Sequence, residues 1–194
     1  MIDLDRYVVK EKVGLLKASN RYEMLDPETG EVVFACSEPR LGMFTKMFRM
    51  TDYKRYTPFD VEVATPAGEK VVRVKRGVAV LASTVQIFDE RDEPIGHFKQ
   101  KMFTIVREKF RLFDNDGEPV CELRAKSWTG WEFQFLVGDT AVAIVTKKWA
   151  GLGKELFTTA DNYLLTIDPS VPTGSVLRKL IVAAVMTIDM VINE

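Results

Sequence analysis

One pattern recurs through most of this chain and limits what it can become: a stretch of alternating apolar and polar residues, a turn rich in Asp, Gly, Glu and Pro, and a second alternating stretch. It reads RYEMLDPETGEVVFA with a turn at Asp26 to Gly30, FDVEVATPAGEKVVRVK with a turn at Thr65 to Gly68, and VQIFDERDEPIGHFKQK with a turn at Asp89 to Pro94. Two more follow, FRLFDNDGEPVCELRAK turning at Asp114 to Gly117 and WEFQFLVGDTAVAIVTKK turning at Gly138 and Asp139. Gly, Asn and Asp accept the positive φ of tight hairpins, and Pro cannot continue a ladder. Period two puts Trp131, Phe133, Phe135 and Val137 on one face and Glu132 and Gln134 on the other, so one face is a core and the other is wet. With an opening strand near Tyr7 to Val9 and further strands near Ala79 to Val85 and Tyr163 to Ile167, the strands number roughly ten to twelve, too many for a flat open sheet. Closure into a barrel or a sandwich is expected.

The end of the chain breaks this rhythm. Turn residues vanish after Gly174, Ser175 is a fitting N-cap, and helix-compatible residues continue, predicting a core helix over about 175–193. From Leu180 to Ile188 the run is apolar on almost every face, which marks a helix surrounded by other structure. A membrane span needs about 20 such residues; this run is bounded by Arg178 and Lys179 on one side and Asp189 on the other. The expectation is therefore a helix that fills a barrel too wide for its own side chains. Asp189 would then be a buried acid, costly unless a cationic or hydrogen-bonding partner meets it.

The 194 residues, 46% of them apolar, fit one domain spanning 1–194. With 27 Lys plus Arg against 28 Asp plus Glu, no nucleic-acid partner is expected, and any basic site must be local. Cys36 and Cys121 read as free buried thiols in a reducing cytosol, and MIDLDRYVVKEK is neither a secretory nor a myristoylation signal. A cytoplasmic protein with peripheral membrane contact is the expected setting. Catalytic material is poor: His97 is the one histidine, no nucleophile motif includes it, and no zinc cluster or phosphate-binding glycine loop occurs. No enzyme activity and no cofactor are expected.

Several segments carry a family resemblance. Ile144-Val145-Thr146-Lys147-Lys148-Trp149, Glu155 to Tyr163 with its Ala160-Asp161-Asn162-Tyr163, and the apolar helix with Ile188-Asp189 resemble the C-terminal half of phospholipid scramblases and plant LURP-one-related proteins. Tyr7-Val8-Val9, Gly14-Leu15-Leu16, Asn20-Arg21-Tyr22, Asp26-Pro27 and Phe113-Asp114 also fit. The resemblance implies the tubby C-terminal fold: an all-β closed antiparallel barrel of about twelve strands around a hydrophobic C-terminal helix, in agreement with the reading above. It also implies candidate activities, calcium-dependent lipid movement in scramblases and phosphoinositide binding in tubby proteins. The calcium segment departs from the scramblase pattern at Thr159 and Ser170, leaving Asp161 and Asn162 as turn or capping groups, and no metal site is expected.

Two basic clusters are candidates for lipid or phosphate binding. The first is Lys147, Lys148 and Lys154 with Arg178 and Lys179 near the start of the helix; the second is Lys46, Arg49, Lys54 and Arg55, the weaker candidate for membrane contact. Met43, Phe44, Met47 and Phe48 recur at helical spacing beside Lys46 and Arg49, as in a short amphipathic helix that either lies on an anionic membrane or packs on one end of the barrel. Against both clusters stands the plainer reading of solvated surface charge. The function expected is a non-enzymatic barrel that contacts anionic phospholipid or phosphoinositide head groups or a protein partner. The alternative is a membrane-active scramblase whose terminal helix leaves the barrel and inserts in the bilayer.

Overall fold

A computed structural model describes residues 2–11, 22–38, 58–77, 82–101, 109–127, 132–147 and 162–192. These residues contain twelve strands: β1 (Arg6–Glu11), β2 (Tyr22–Leu25), β3 (Val32–Ser37), β4 (Phe59–Ala64), β5 (Lys70–Arg76), β6 (Ala82–Asp89), β7 (Pro94–Lys101), β8 (Lys109–Phe113), β9 (Pro119–Ser127), β10 (Glu132–Val137), β11 (Thr140–Thr146) and β12 (Asn162–Ile167). One helix follows, α1 (Val176–Ile192). Each strand pairs antiparallel with the next, and β12 closes on β1 from Lys10↔Asn162 to Arg6↔Thr166. The result is a closed barrel, which leaves no sheet edge to protect.

Odd-numbered strands therefore all run one way, and the two ends of the barrel differ in chemistry. At one, the turn end, three of the short hairpins share a single construction. The first turn residue accepts from the closing backbone N–H: Thr65 Oγ1 from Glu69 N at 3.1 Å, Asp89 Oδ1 from Glu93 N at 3.0 Å, Asp114 Oδ1 from Glu118 N at 2.9 Å. Position four of each lies at positive φ, taken by Gly68 (87°), Asp92 (64°) and Gly117 (84°), and a bulge in the pairing follows. This is a turn closed by a left-handed residue, the hairpin solution that matches strand twist. Asp89 and Asp114 are thus used in closing the backbone.

Strands alternate as the sequence requires: Phe59, Val61 and Val63 are buried while Asp60 and Glu62 are not. One expectation is corrected. Val137 does not share the buried face of Phe133 and Phe135; it is 41% exposed, because a bulge between Phe135 and Leu136 shifts the alternation and turns Leu136 inward.

The helix lies inside. Leu180, Ile181, Val182, Ala183, Ala184, Val185 and Met186 are buried on every face, packed closest to β5, β6 and β7. Ser175 Oγ accepts the Arg178 backbone N–H at 3.3 Å, the cap that the sequence promises. From there the helix runs toward the other end of the barrel, the far end, where Cys36 Sγ approaches Met186 Sδ at 3.1 Å. At Gly96 of β7 the wall has room only for hydrogen: a Cβ would overlap the Phe113 carbonyl oxygen and stand 3.0 Å from Leu180 Cδ2. The side chain of Asp189 lies outside the described residues, and so does its expected partner.

Candidate functional site

The turn end is stoppered by a buried cation that the sequence reading had placed on the surface. Arg178, one turn into the helix, is 1% exposed. Its guanidinium donates to the carbonyl oxygens of Val171 at 2.9 Å, Leu4 at 2.8 Å and Ile2 at 3.4 Å, and to the Asp5 carboxylate. A cation at a helix N-terminus opposes the helix dipole, so these acceptors are what make the position tenable. They also tie the segment before β1 across the mouth: Ile2 is buried, Leu4 N–H donates to the Tyr7 hydroxyl at 3.0 Å, and burial pushes that phenol up to about 12. Lys179 is bound at the same end, to Glu90 of the β6–β7 turn at 2.5 Å, which holds the Glu90 carboxyl below its ordinary range.

Lys147 is elsewhere. It follows β11 at the far end, its ammonium 5.0 Å from the centre of the Tyr163 ring. Ile167, where β12 reaches the turn end, pairs with Ala143, and roughly 13 Å of β11 separates Ala143 from Lys147. Of the expected cluster of Lys147, Lys148, Lys154, Arg178 and Lys179, the described members are corrected: Lys147 lies at the far end and Arg178 and Lys179 at the turn end, because the antiparallel β12 exchanges one end for the other. Arg178 has no face toward a ligand outside the barrel, and Lys179 is engaged. Lys148 and Lys154 lie outside the described residues, as do Lys46, Arg49, Lys54, Arg55 and the expected amphipathic helix. The strand ends that flank both stretches, β3 with β4 and β11 with β12, are at the far end.

A group of cations that the sequence reading missed stands on the outer face of three neighbouring strands. The described members are Lys99 of β7, Arg111 of β8, and Arg124 and Lys126 of β9; Lys101 and Lys109 continue the period of two in sequence, and their side chains lie outside the described ones. The register sets Lys99 directly opposite Arg111, and Lys109 opposite Arg124. Lys99 is exposed, as are Arg111 (58%), Arg124 (48%) and Lys126 (62%). Glu122 stands among them, 2.8 Å from Arg124 and 3.8 Å from Arg111, and Glu132 meets Lys126 at 3.2 Å. Beside this group His97, half-buried, stacks on Phe113 with ring centres 5.1 Å apart; burial and then Lys99 lower its basicity. The period-two run of basic residues was visible in the sequence, but their meeting depends on β7, β8 and β9 being adjacent.

Both thiols are free and buried, and burial raises each to about 12, so neither is a nucleophile at neutral pH. Asp168, which begins the link from β12 to α1, accepts from Ser170, a contact that lowers its carboxyl and makes it a turn-closing group. Among the described residues no group of His, Cys, Asp or Glu is arranged to hold a metal ion, and no helix is long and apolar enough to cross a membrane.

Comparison with known proteins agrees with this architecture. A crystal structure of an Arabidopsis thaliana protein superposes with a TM-score of 0.55, covering 97% of this chain and 92% of that one at 14% identity, a likeness of fold. The sequence model of the family described as Scramblase matches residues 11–194. By that match, extending from the end of β1 through the enclosed helix, the chain belongs to the Scramblase family.

Proposed function

We propose that the protein is a non-catalytic barrel that contacts anionic phospholipid head groups, phosphoinositides among them, from the cytoplasmic side, with its helix kept inside. The observation that carries this reading is the division of charge along the barrel axis. Every hairpin at the turn end carries carboxylate, with Glu28, Glu69, Asp92, Asp116 and Asp139 all exposed there. Lys147 stands at the far end, and the sequence between β3 and β4 and between β11 and β12, outside the described residues, supplies Lys46, Arg49, Lys54, Arg55, Lys148 and Lys154 as further candidates. Near an anionic bilayer each such cation contributes about 1 kcal/mol, and the acidic end is repelled, so the charge division selects an orientation as well as a partner.

Release of the helix into the bilayer is disfavoured by what holds it. Its departure would uncover the inward-facing apolar residues of the wall, Val61, Val74, Val85 and Ile87 among them, and Arg178 would surrender its acceptors. The test is flotation of the full chain with neutral, phosphatidylserine-containing and phosphoinositide-containing vesicles. Binding to the anionic vesicles that weakens as salt rises is expected; absence of binding at low salt rules the reading out.

A further inference from the structure

The cations of β7, β8 and β9 occupy an arrangement that folding alone disfavours. Like charges directly opposite each other on neighbouring strands repel, and here Lys99 stands opposite Arg111, with Arg124 and Lys126 on the adjoining strand of the same face. Glu122 relieves part of that repulsion by bridging Arg111 and Arg124, and Lys99 rests its ammonium 5.4 Å from the Phe113 ring centre. Among the described side chains of this face, the four cations Lys99, Arg111, Arg124 and Lys126 stand against two carboxylates, Glu122 and Glu132, and all four cations remain exposed. Such a surface becomes favourable when an external anion lies across it.

We infer that the outer wall of β7, β8 and β9 is a docking surface for an anionic lipid bilayer. This rests on the lipid reading above and names a surface for it outside the two clusters visible in the sequence. Neighbouring strands lie about 4.8 Å apart and alternate residues about 6.8 Å apart along a strand, so the charges are spread in two dimensions and do not converge on one point. Where the strands pair, from His97 to Lys99 of β7 and along β8 and β9, the backbone is engaged in the barrel ladders. A wall of this kind suits many phosphates distributed over a plane better than one compact anion, which calls for converging donors. A single-stranded polynucleotide would call for aromatic platforms among the cations, and Phe113 on this face is already covered by His97.

The experiment is flotation of the full chain with phosphatidylserine-containing and neutral vesicles, comparing wild type with K99Q/R111Q/R124Q, and with R91Q at the turn end as the control. Each lost cation is expected to weaken partitioning about fivefold and the three together roughly a hundredfold, with R91Q unchanged. Urea unfolding of the triple variant is expected to show stability equal to or above wild type, because the Lys99–Arg111 repulsion is gone; a structural role for the three would instead lower it. If wild type and the triple variant float equally well, the wall is not the docking surface and the lipid reading stands on the far end. If wild type does not float with anionic vesicles at low salt, both readings fall. Tighter retention on a single-stranded oligonucleotide, lost in the triple variant, would keep the wall and overturn its occupant.

Discussion

Replacing Arg178 by Met keeps most of the side-chain volume and removes the guanidinium, leaving the carbonyls of Val171, Leu4 and Ile2 without their donor in a mouth that water does not reach freely. Removing one partner of a buried charged network costs about 3–5 kcal/mol. Asp5→Asn leaves the guanidinium its three carbonyls and an amide oxygen and removes only the counter-charge, which at 44% exposure is screened by solvent, so it should cost only about 1 kcal/mol. For a chain of this length, about 3–5 kcal/mol corresponds to a fall in melting temperature of roughly 6–20 °C. Equilibrium urea unfolding of wild type, Arg178→Met and Asp5→Asn measures all three on one scale. The reasoning predicts a large loss for the arginine and a small one for the aspartate. Equal losses would mean that the ion pair carries the clasp, and an Arg178→Met protein as stable as wild type would refute the clasp altogether.

Other substitutions separate steric from conformational causes. Gly96→Ala should destabilise by about 1–3 kcal/mol, since its Cβ forces β8 or the helix to move, whereas Gly68→Ala, with nothing within 4 Å, should lose about 1–2 kcal/mol from its left-handed backbone alone; urea unfolding checks both. Cys36 and Cys121 should resist a disulfide reagent at pH 8 in the native state and both react once unfolded, as read by thiol absorbance; rapid labelling of the native protein would contradict their burial. Glu90 is held below its ordinary value of 4.5 by Lys179, so it stabilises the fold above that pH and the contribution disappears as pH falls below it. Glu90→Gln should therefore be less stable than wild type at neutral pH, by at most about 1 kcal/mol after solvent screening, and the difference should vanish in acid.

Local patterning made the hairpins, the enclosed helix and its Ser175 cap legible, because each is written in neighbouring residues: alternation, a turn residue at a fixed place, an apolar run of limited length. Questions of which end and which neighbour were harder. Lys147 and Arg178 looked close because both border the last strand, yet passing along one antiparallel strand exchanges the ends of the barrel; counting strands would have separated them. Arg178 looked like a surface charge because nothing in its own segment reveals that carbonyls of Ile2 and Leu4, from the opposite end of the chain, surround it. The exposure of Val137 depended on one bulge, which a strict period of two does not contain. For the β7–β9 wall the residues were in plain sight, and only the register told that they face one another.

Native-state hydrogen exchange of the amides from Leu180 to Met186 asks most directly whether the barrel holds its own helix. These amides are expected to exchange only through global unfolding, with the same protection as the β12 amides that close the barrel and the same dependence on denaturant. Exchange of the helix through a separate opening, well ahead of β12, would contradict the enclosed helix and everything built on it.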